Sequence, residues 1–182
     1  MPSHIREKGA DDQGWVEAFL KERWGSRTII VHGASYDAAA LPALIAGQRD
    51  GLATFQIDGN QAELITLDAR TPGEGTGTAL IDALRQLLED RRVCELHVTT
   101  TNDNLRALRF YQRRGFCIAG VRCGAVDDAR RIKPSIPALG QHGIPIRDEI
   151  ELRLRLGPSA RREGRAGPHG SSDSAGGRQA PP

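Results

Sequence analysis

Apolar and polar positions follow two different periods along the first 156 residues, and the switches between them lay out the elements. His4-Ile5-Arg6-Glu7 reads as a short first strand. Trp15, Val16, Phe19, Leu20 and Trp24 then recur at helical spacing, with Asp11 or Asp12 as the cap and Gly25 as the stop. The β-branched run Thr28-Ile29-Ile30-Val31 reads as a strand. Residues 41–46 and 52–57 flank Gly47-Gln48-Arg49-Asp50-Gly51, a hairpin with an Asp-Gly turn, and Asp58-Gly59-Asn60 turns the chain into a further strand over 62–69. This stretch forms an antiparallel meander.

The period then changes from two to 3.6 across Pro72-Gly73-Glu74-Gly75-Thr76-Gly77-Thr78. Leu80, Leu84, Leu87 and Leu88 mark a helix over 79–89, and a strand follows over 93–100. Strand, turn, helix, strand demands a crossover, so the two strands form a parallel pair within an otherwise antiparallel sheet. The fold class is therefore mixed α/β. A glycine turn entering a helix exposes backbone N–H groups at the positive end of the helix dipole, which suits a phosphate. Gly77-Thr78 lacks the lysine of a P-loop, and Gly73, Gly75 and Gly77 are spaced by one residue, unlike a dinucleotide fingerprint. The anion expected there belongs to neither ATP nor NAD.

Beyond the second strand, Asn102-Asp103-Asn104 is a capping stretch. Leu105, Leu108 and Tyr111 share a helix face, with Ala107 and Phe110 beside it, and Gly115 is a C-terminal stop. Residues 117–121 and 147–156 read as the last strands. In the final one, Ile150, Leu152, Leu154 and Leu156 face the core and Glu149, Glu151, Arg153 and Arg155 the other side. The long connection over 122–146 carries Pro134, Pro137 and Pro145, and its apolar Ile132, Ile136, Leu139 and Ile144 imply that it packs as one wall of a pocket. From 157 to 182 the chain is rich in Gly, Ser, Pro, Arg and Ala without periodicity. A disordered tail is expected after a single domain over 1–156.

Composition narrows the function classes. The net charge is +2, and the tail alone accounts for it: Arg161, Arg162, Arg165 and Arg178 against Glu163 and Asp173. A neutral body argues against nucleic-acid binding. No apolar run is long enough to span a membrane, and the N-terminus lacks an apolar signal core, so neither a membrane nor an export role is expected. Cys94, Cys117 and Cys123 lack metal-ligand spacing and read as free thiols of a cytoplasmic protein, the first two as core residues. His97 and His142 have no partner at metal-like spacing, so no metal is expected.

Asn104-x-x-Ala107-x-x-Phe110-Tyr111-x-x-x-Gly115-Phe116, one strand after the glycine turn, resembles the GNAT superfamily of acyl-CoA-dependent N-acetyltransferases. The resemblance runs in element order from Ile5 to Leu156. It implies a mostly antiparallel sheet with flanking helices, whose central parallel pair splays to admit acetyl-CoA. It further implies that Leu67, Asp68 and Ala69 pair with the pantetheine arm, and that Gly73, Glu74, Gly75, Thr76, Gly77 and Thr78 hold the pyrophosphate. Asn104 would touch the cofactor arm. The family's Arg/Gln-x-x-Gly-x-Gly/Ala pattern falls on Pro72-x-x-Gly75-x-Gly77, so Pro72 departs from it in having neither a polar side chain nor an N–H.

Acetyl transfer to an amine also needs a base and an acid. Tyr111 matches the family tyrosine; a phenol, with a reference pKa of about 10, stays protonated at neutral pH and can meet the departing thiolate. Glu63 lies on the strand where relatives carry a glutamate base, with Asp68, Glu149 and Glu151 as fallbacks. Tyr36, Asp37 and Trp24 are placed on the acceptor side by element order. The resemblance thus implies direct transfer from acetyl-CoA to a small-molecule or protein amine, the acceptor and a homodimeric state both being open. The alternative is a CoA-binding sensor or interaction domain impaired in catalysis, which Pro72 favours.

Overall fold

The computed structural model describes residues 4–157. The tail expected over 157–182 therefore lies, beyond Gly157, outside the described residues. A seven-stranded sheet runs in the order β1 (Ile5–Glu7), β4 (Ala43–Ala46), β5 (Gly51–Asp58), β6 (Gln61–Ala69), β7 (Glu95–Thr101), β9 (Glu149–Arg155) and β8 (Cys117–Arg122). Only β6 and β7 pair in parallel; every other contact in the sheet is antiparallel. The fold is the mixed, mostly antiparallel α/β class implied by the chain's patterning.

Two cores flank the sheet. On one face, Leu80, Ile81, Leu84 and Leu88 of α2 (Thr76–Asp90) are fully buried, together with Phe55, Leu64, Leu96 and Leu152 from the strands. Tyr111, from α3 (Leu105–Gln112), joins this core. On the other, Val16, Phe19 and Leu20 of α1 (Gln13–Trp24) pack with Ile45, Leu52 and Ile65. There they meet Ile29 and Val31 of β2 (Thr28–Val31), which pairs with β3 (Ala34–Asp37) as a separate hairpin. The second strand of this hairpin, Ala-Ser-Tyr-Asp, has no apolar alternation and was not legible as a strand.

Three local expectations are corrected. Asp12 holds the N-cap position of α1 but makes no side-chain cap bond: its carboxylate takes two bonds from Arg6 (2.6 and 2.8 Å) and one from the Gly9 N–H (2.9 Å), which hold it well below the usual carboxylate range. Cys94 and Cys117 are exposed, because Cys94 precedes β7 in a loop and β8 is an edge strand open on both faces. The connection over 122–146 contains a helix, α4 (Ala125–Ile132), which buries Val126 and Ala129 while Ile132 and Leu139 stay exposed. Glu149, on the face of β9 opposite its leucines, is only 4% exposed.

Candidate active site

The site begins with a register change. Opposite β5, Thr54 pairs with Thr66 and Phe55 with Leu64, so Ile65 is an extra residue bulged out of β6. A bulge bends and twists its strand. Pairing of β6 with β7 covers only Gln61–Leu64 against Glu95–Val98, and both strands continue past it, to Ala69 and Thr101, without pairing to each other. A cavity of about 720 Å³ opens in this V, lined by Leu64 to Ala69, Val98 to Thr100, the glycine turn, Asn104 and Tyr111. Arg23 and Trp24 of α1 close it from the opposite face of the sheet.

At one end of the cavity the glycine turn is built as anion sites are. Gly73 and Gly75 sit at φ of +91° and +85°, a region open to glycine and costly for other residues. Gly75 is the N-cap of α2 and no side chain caps that helix. The helical ladder starts with Ala79 N–H donating to Gly75 O at 2.9 Å, which leaves the amides of Thr76, Gly77 and Thr78 ahead of it. Pro72, Gly73, Gly75, Thr76, Gly77 and Thr78 line the cavity, whereas the exposed Glu74 does not.

Leu67, Asp68 and Ala69 line the arm of the V. Arg23 clamps the Asp68 carboxylate at 2.7 and 2.9 Å and reaches Ala69 O at 3.1 Å, which occupies this fallback acid. Asn104 caps α3, its Oδ1 accepting from Ala107 N–H at 3.0 Å, and borders the cavity at the same time.

Tyr111 lies on the cavity wall at 7% exposure, its ring edge-on to Phe110 and Phe116 at centroid distances of 5.2 and 5.3 Å. Burial, and next the charge of Asp68, push its phenol well above the usual range, with Arg114 pulling the other way. Arg114 was not foreseen. Its guanidinium sits 3.5 Å from the Phe110 ring centroid, donates to Phe110 O at 2.8 Å and to Thr78 Oγ1, and lines the cavity. Burial lowers its pKa.

Glu63 stands one residue before the last paired position, on the face covered by α1 and the β2–β3 hairpin, and does not line the cavity itself. Its Oε2 accepts from Gln56 Nε2 at 3.3 Å and its Oε1 lies 3.1 Å from His32 Nε2. Thr99, which does line the cavity, puts its Oγ1 3.0 Å from the same nitrogen. On the other side of the ring, His32 Nδ1 is 2.6 Å from Arg122 Nη1, 3.2 Å from Glu151 Oε1 and 3.9 Å from Glu149 Oε2. Arginine only donates, so Nδ1 accepts and the Nε2 proton goes to Thr99, while Glu63 Oε1 lies beside the ring, buried without a hydrogen-bond partner. Three of the four candidate bases thus gather on one histidine, and Asp68 stands apart.

His32 was missed because the histidine precedes Gly33 in a polar turn. The available signal was that turn: at φ of +53° and +73°, His32 and Gly33 form a tight two-residue connection that aims the imidazole back over the sheet. Tyr36 joins the same group through Gln56 Nε2, 3.3 Å from its hydroxyl, while Asp37 pairs with Arg27 at 2.8 Å instead. Of the 122–146 connection, only Gln141 borders the cavity, so it is not the wall expected; Lys133 rather ties it to Thr28 O at 3.1 Å. His97 is paired with Glu95 at 3.3 Å. Among the described residues no group of three His, Cys, Asp or Glu is arranged to hold a metal, and no helix is long and apolar enough to cross a membrane.

Comparison with known proteins agrees with this geometry. Residues 15–116 match the Acetyltransferase (GNAT) family. The YxbD protein of Bacillus subtilis (strain 168) is 36% identical over 145 residues, which cover 78% of this chain and 91% of that one. Among solved structures, the ribosomal-protein-S18-alanine N-acetyltransferase of Escherichia coli superposes with a TM-score of 0.59 at 18% identity, over 85% of this chain and 94% of the other. A Bacillus subtilis acetyltransferase in complex with CoA gives a TM-score of 0.59 at 15% identity, over 85% and 99%. At these identities the two structures attest the fold.

Proposed function

Because the chain belongs to the GNAT acetyltransferase family, we propose that it moves an acetyl group from acetyl-CoA directly to a primary amine, in the V between β6 and β7. The observation that carries this is the coincidence, in one cavity, of an uncapped helix N-terminus, unpaired strand backbone and a buried phenol. The amides of Thr76 to Thr78 hold the pyrophosphate. The free edge of β6 at Leu67 to Ala69 orders the pantetheine arm, and a backbone N–H there steadies the carbonyl oxygen as it gains charge. Glu63 takes the amine proton through water, Thr99 being the link between its histidine and the cavity. The amine nitrogen bonds to the carbonyl carbon as the carbon–sulfur bond breaks, and Tyr111 donates its proton toward the departing sulfur. A raised phenol pKa keeps that proton in place until charge develops on sulfur.

The test is release of free thiol from acetyl-CoA across a panel of amines; no acceptor-dependent release from the full chain would sink the enzymatic reading. His32→Asn gives a finer check. Asparagine tolerates the positive φ, so the hairpin survives while the imidazole beside Glu63 goes. With the link from Glu63 to Thr99 broken, kcat is expected to fall roughly tenfold, about 1.4 kcal/mol in the barrier, with an unchanged melting midpoint. A second reading, CoA binding without turnover, is favoured by Pro72, which removes a phosphate contact. Calorimetric acetyl-CoA binding with no turnover on any amine would promote it.

A further inference from the structure

Beside the cavity, and sharing Thr78, Arg106, Phe110 and Arg114 with it, lies a second hollow of about 480 Å³ whose other lining residues are Arg109 and Arg113. Positions 106, 109, 110 and 113 follow helical spacing, so the three arginines and Phe110 form one stripe on α3, facing the first turn of α2. Arg114 follows at the end of the helix. Among the described residues none of these four guanidinium groups lies within 4.0 Å of a carboxylate, although most other arginines of the domain are so paired. Asp82, one turn into α2, is the acid whose field Arg114 feels most. The Nε of Arg114 is buried without a hydrogen-bond partner. Four cations without a carboxylate partner converge beside the glycine turn in a domain whose formal charges, these four included, sum to zero.

We propose that this hollow seats the 3′-phosphate of coenzyme A, and that Arg106, Arg109 and Arg113, beside Arg114, supply the cofactor charge contact that Pro72 cannot make. The proposal rests on the reading that the V takes acetyl-CoA. It adds that the chain distinguishes the 3′-phosphorylated cofactor from its dephosphorylated form. Chemistry favours that occupant. A phosphomonoester is dianionic at neutral pH and accepts forked bonds from several guanidinium groups at once. The adenine attached to the same ribose has a flat face for Arg114 and Phe110, which are already stacked at 3.5 Å. A purely solvated arginine face predicts no such preference.

The test is calorimetry on the full chain with CoA and with 3′-dephospho-CoA at low and physiological salt. CoA is expected to bind about tenfold more tightly, with the ratio shrinking as salt rises. The Arg106→Ala/Arg109→Ala/Arg113→Ala variant, altered only at exposed positions, is expected to bind both forms alike, near the wild-type affinity for dephospho-CoA. Equal binding of the two by the wild-type chain would overturn this proposal and leave the acetyltransferase reading standing, as would a preference that survives in the triple variant. Failure of both to bind at millimolar concentration would overturn the two together. The wild-type ratio decides the matter even if the variant does not fold.

Discussion

Tyr111→Phe is expected to lower kcat by about two to three orders of magnitude while the affinity for acetyl-CoA stays within about twofold. The reason is how little else the substitution changes. The ring is locked in the core by Phe110 and Phe116 and is 7% exposed, so phenylalanine fills the same space. No protein group among the described residues is hydrogen-bonded to the hydroxyl, so its loss leaves no partner stranded in the interior. What disappears is a donor on the cavity wall, held protonated by burial and by Asp68, where a thiolate would leave. Single-turnover thiol release gives the rate and calorimetry the affinity. A variant as fast as wild type would remove Tyr111 from the mechanism and pass the proton to solvent.

Gly75→Asp should raise the dissociation constant for acetyl-CoA by about 100-fold, the loss of about 2.7 kcal/mol, or one to two charge-assisted bonds. Two opposing terms set its effect on folding. Gly75 sits at φ of +85°, where a side chain costs about 1–2 kcal/mol. Yet α2 has no side-chain cap, and an N-cap aspartate contributes about 0.5–2 kcal/mol in return. Stability should therefore change little. The new carboxylate would bind the same amides of Thr76 to Thr78 that the proposed function assigns to the pyrophosphate, and would repel that group as well. Calorimetry for affinity, with thermal unfolding as the control, separates the two effects. Unchanged affinity would place the phosphates away from this turn.

Much of the architecture follows from local chemistry. The switch of period at Pro72, the leucines of α2 and the cap-to-stop run from Asn104 to Gly115 each depend on residues within a few turns of one another, so the chain's order reveals them. The crossover alone required a parallel pair, and the structure has one, at β6 and β7. Local rules were weaker where the partner is distant. Ser35 and Tyr36 form a strand because β2 lies alongside, and Cys117 is exposed because β8 ends the sheet; neither fact is written in the neighbouring residues.

The chain's own residues dictated the anion turn, the helix that follows it and the tyrosine across from it, because helix and turn preferences act between near neighbours. Folding settled the rest. The bulge at Ile65 opens the V only because β5 holds a register that β7 cannot follow. His32 reaches Glu63, Thr99, Glu151 and Arg122 only because four strands and a hairpin turn converge there. Arg114 meets Thr78 only once α3 has docked against α2. Hydrogen bonds and ion pairs act over a few ångströms of space whatever the separation along the chain, so the chemistry of a site assembled from distant segments becomes visible only in three dimensions.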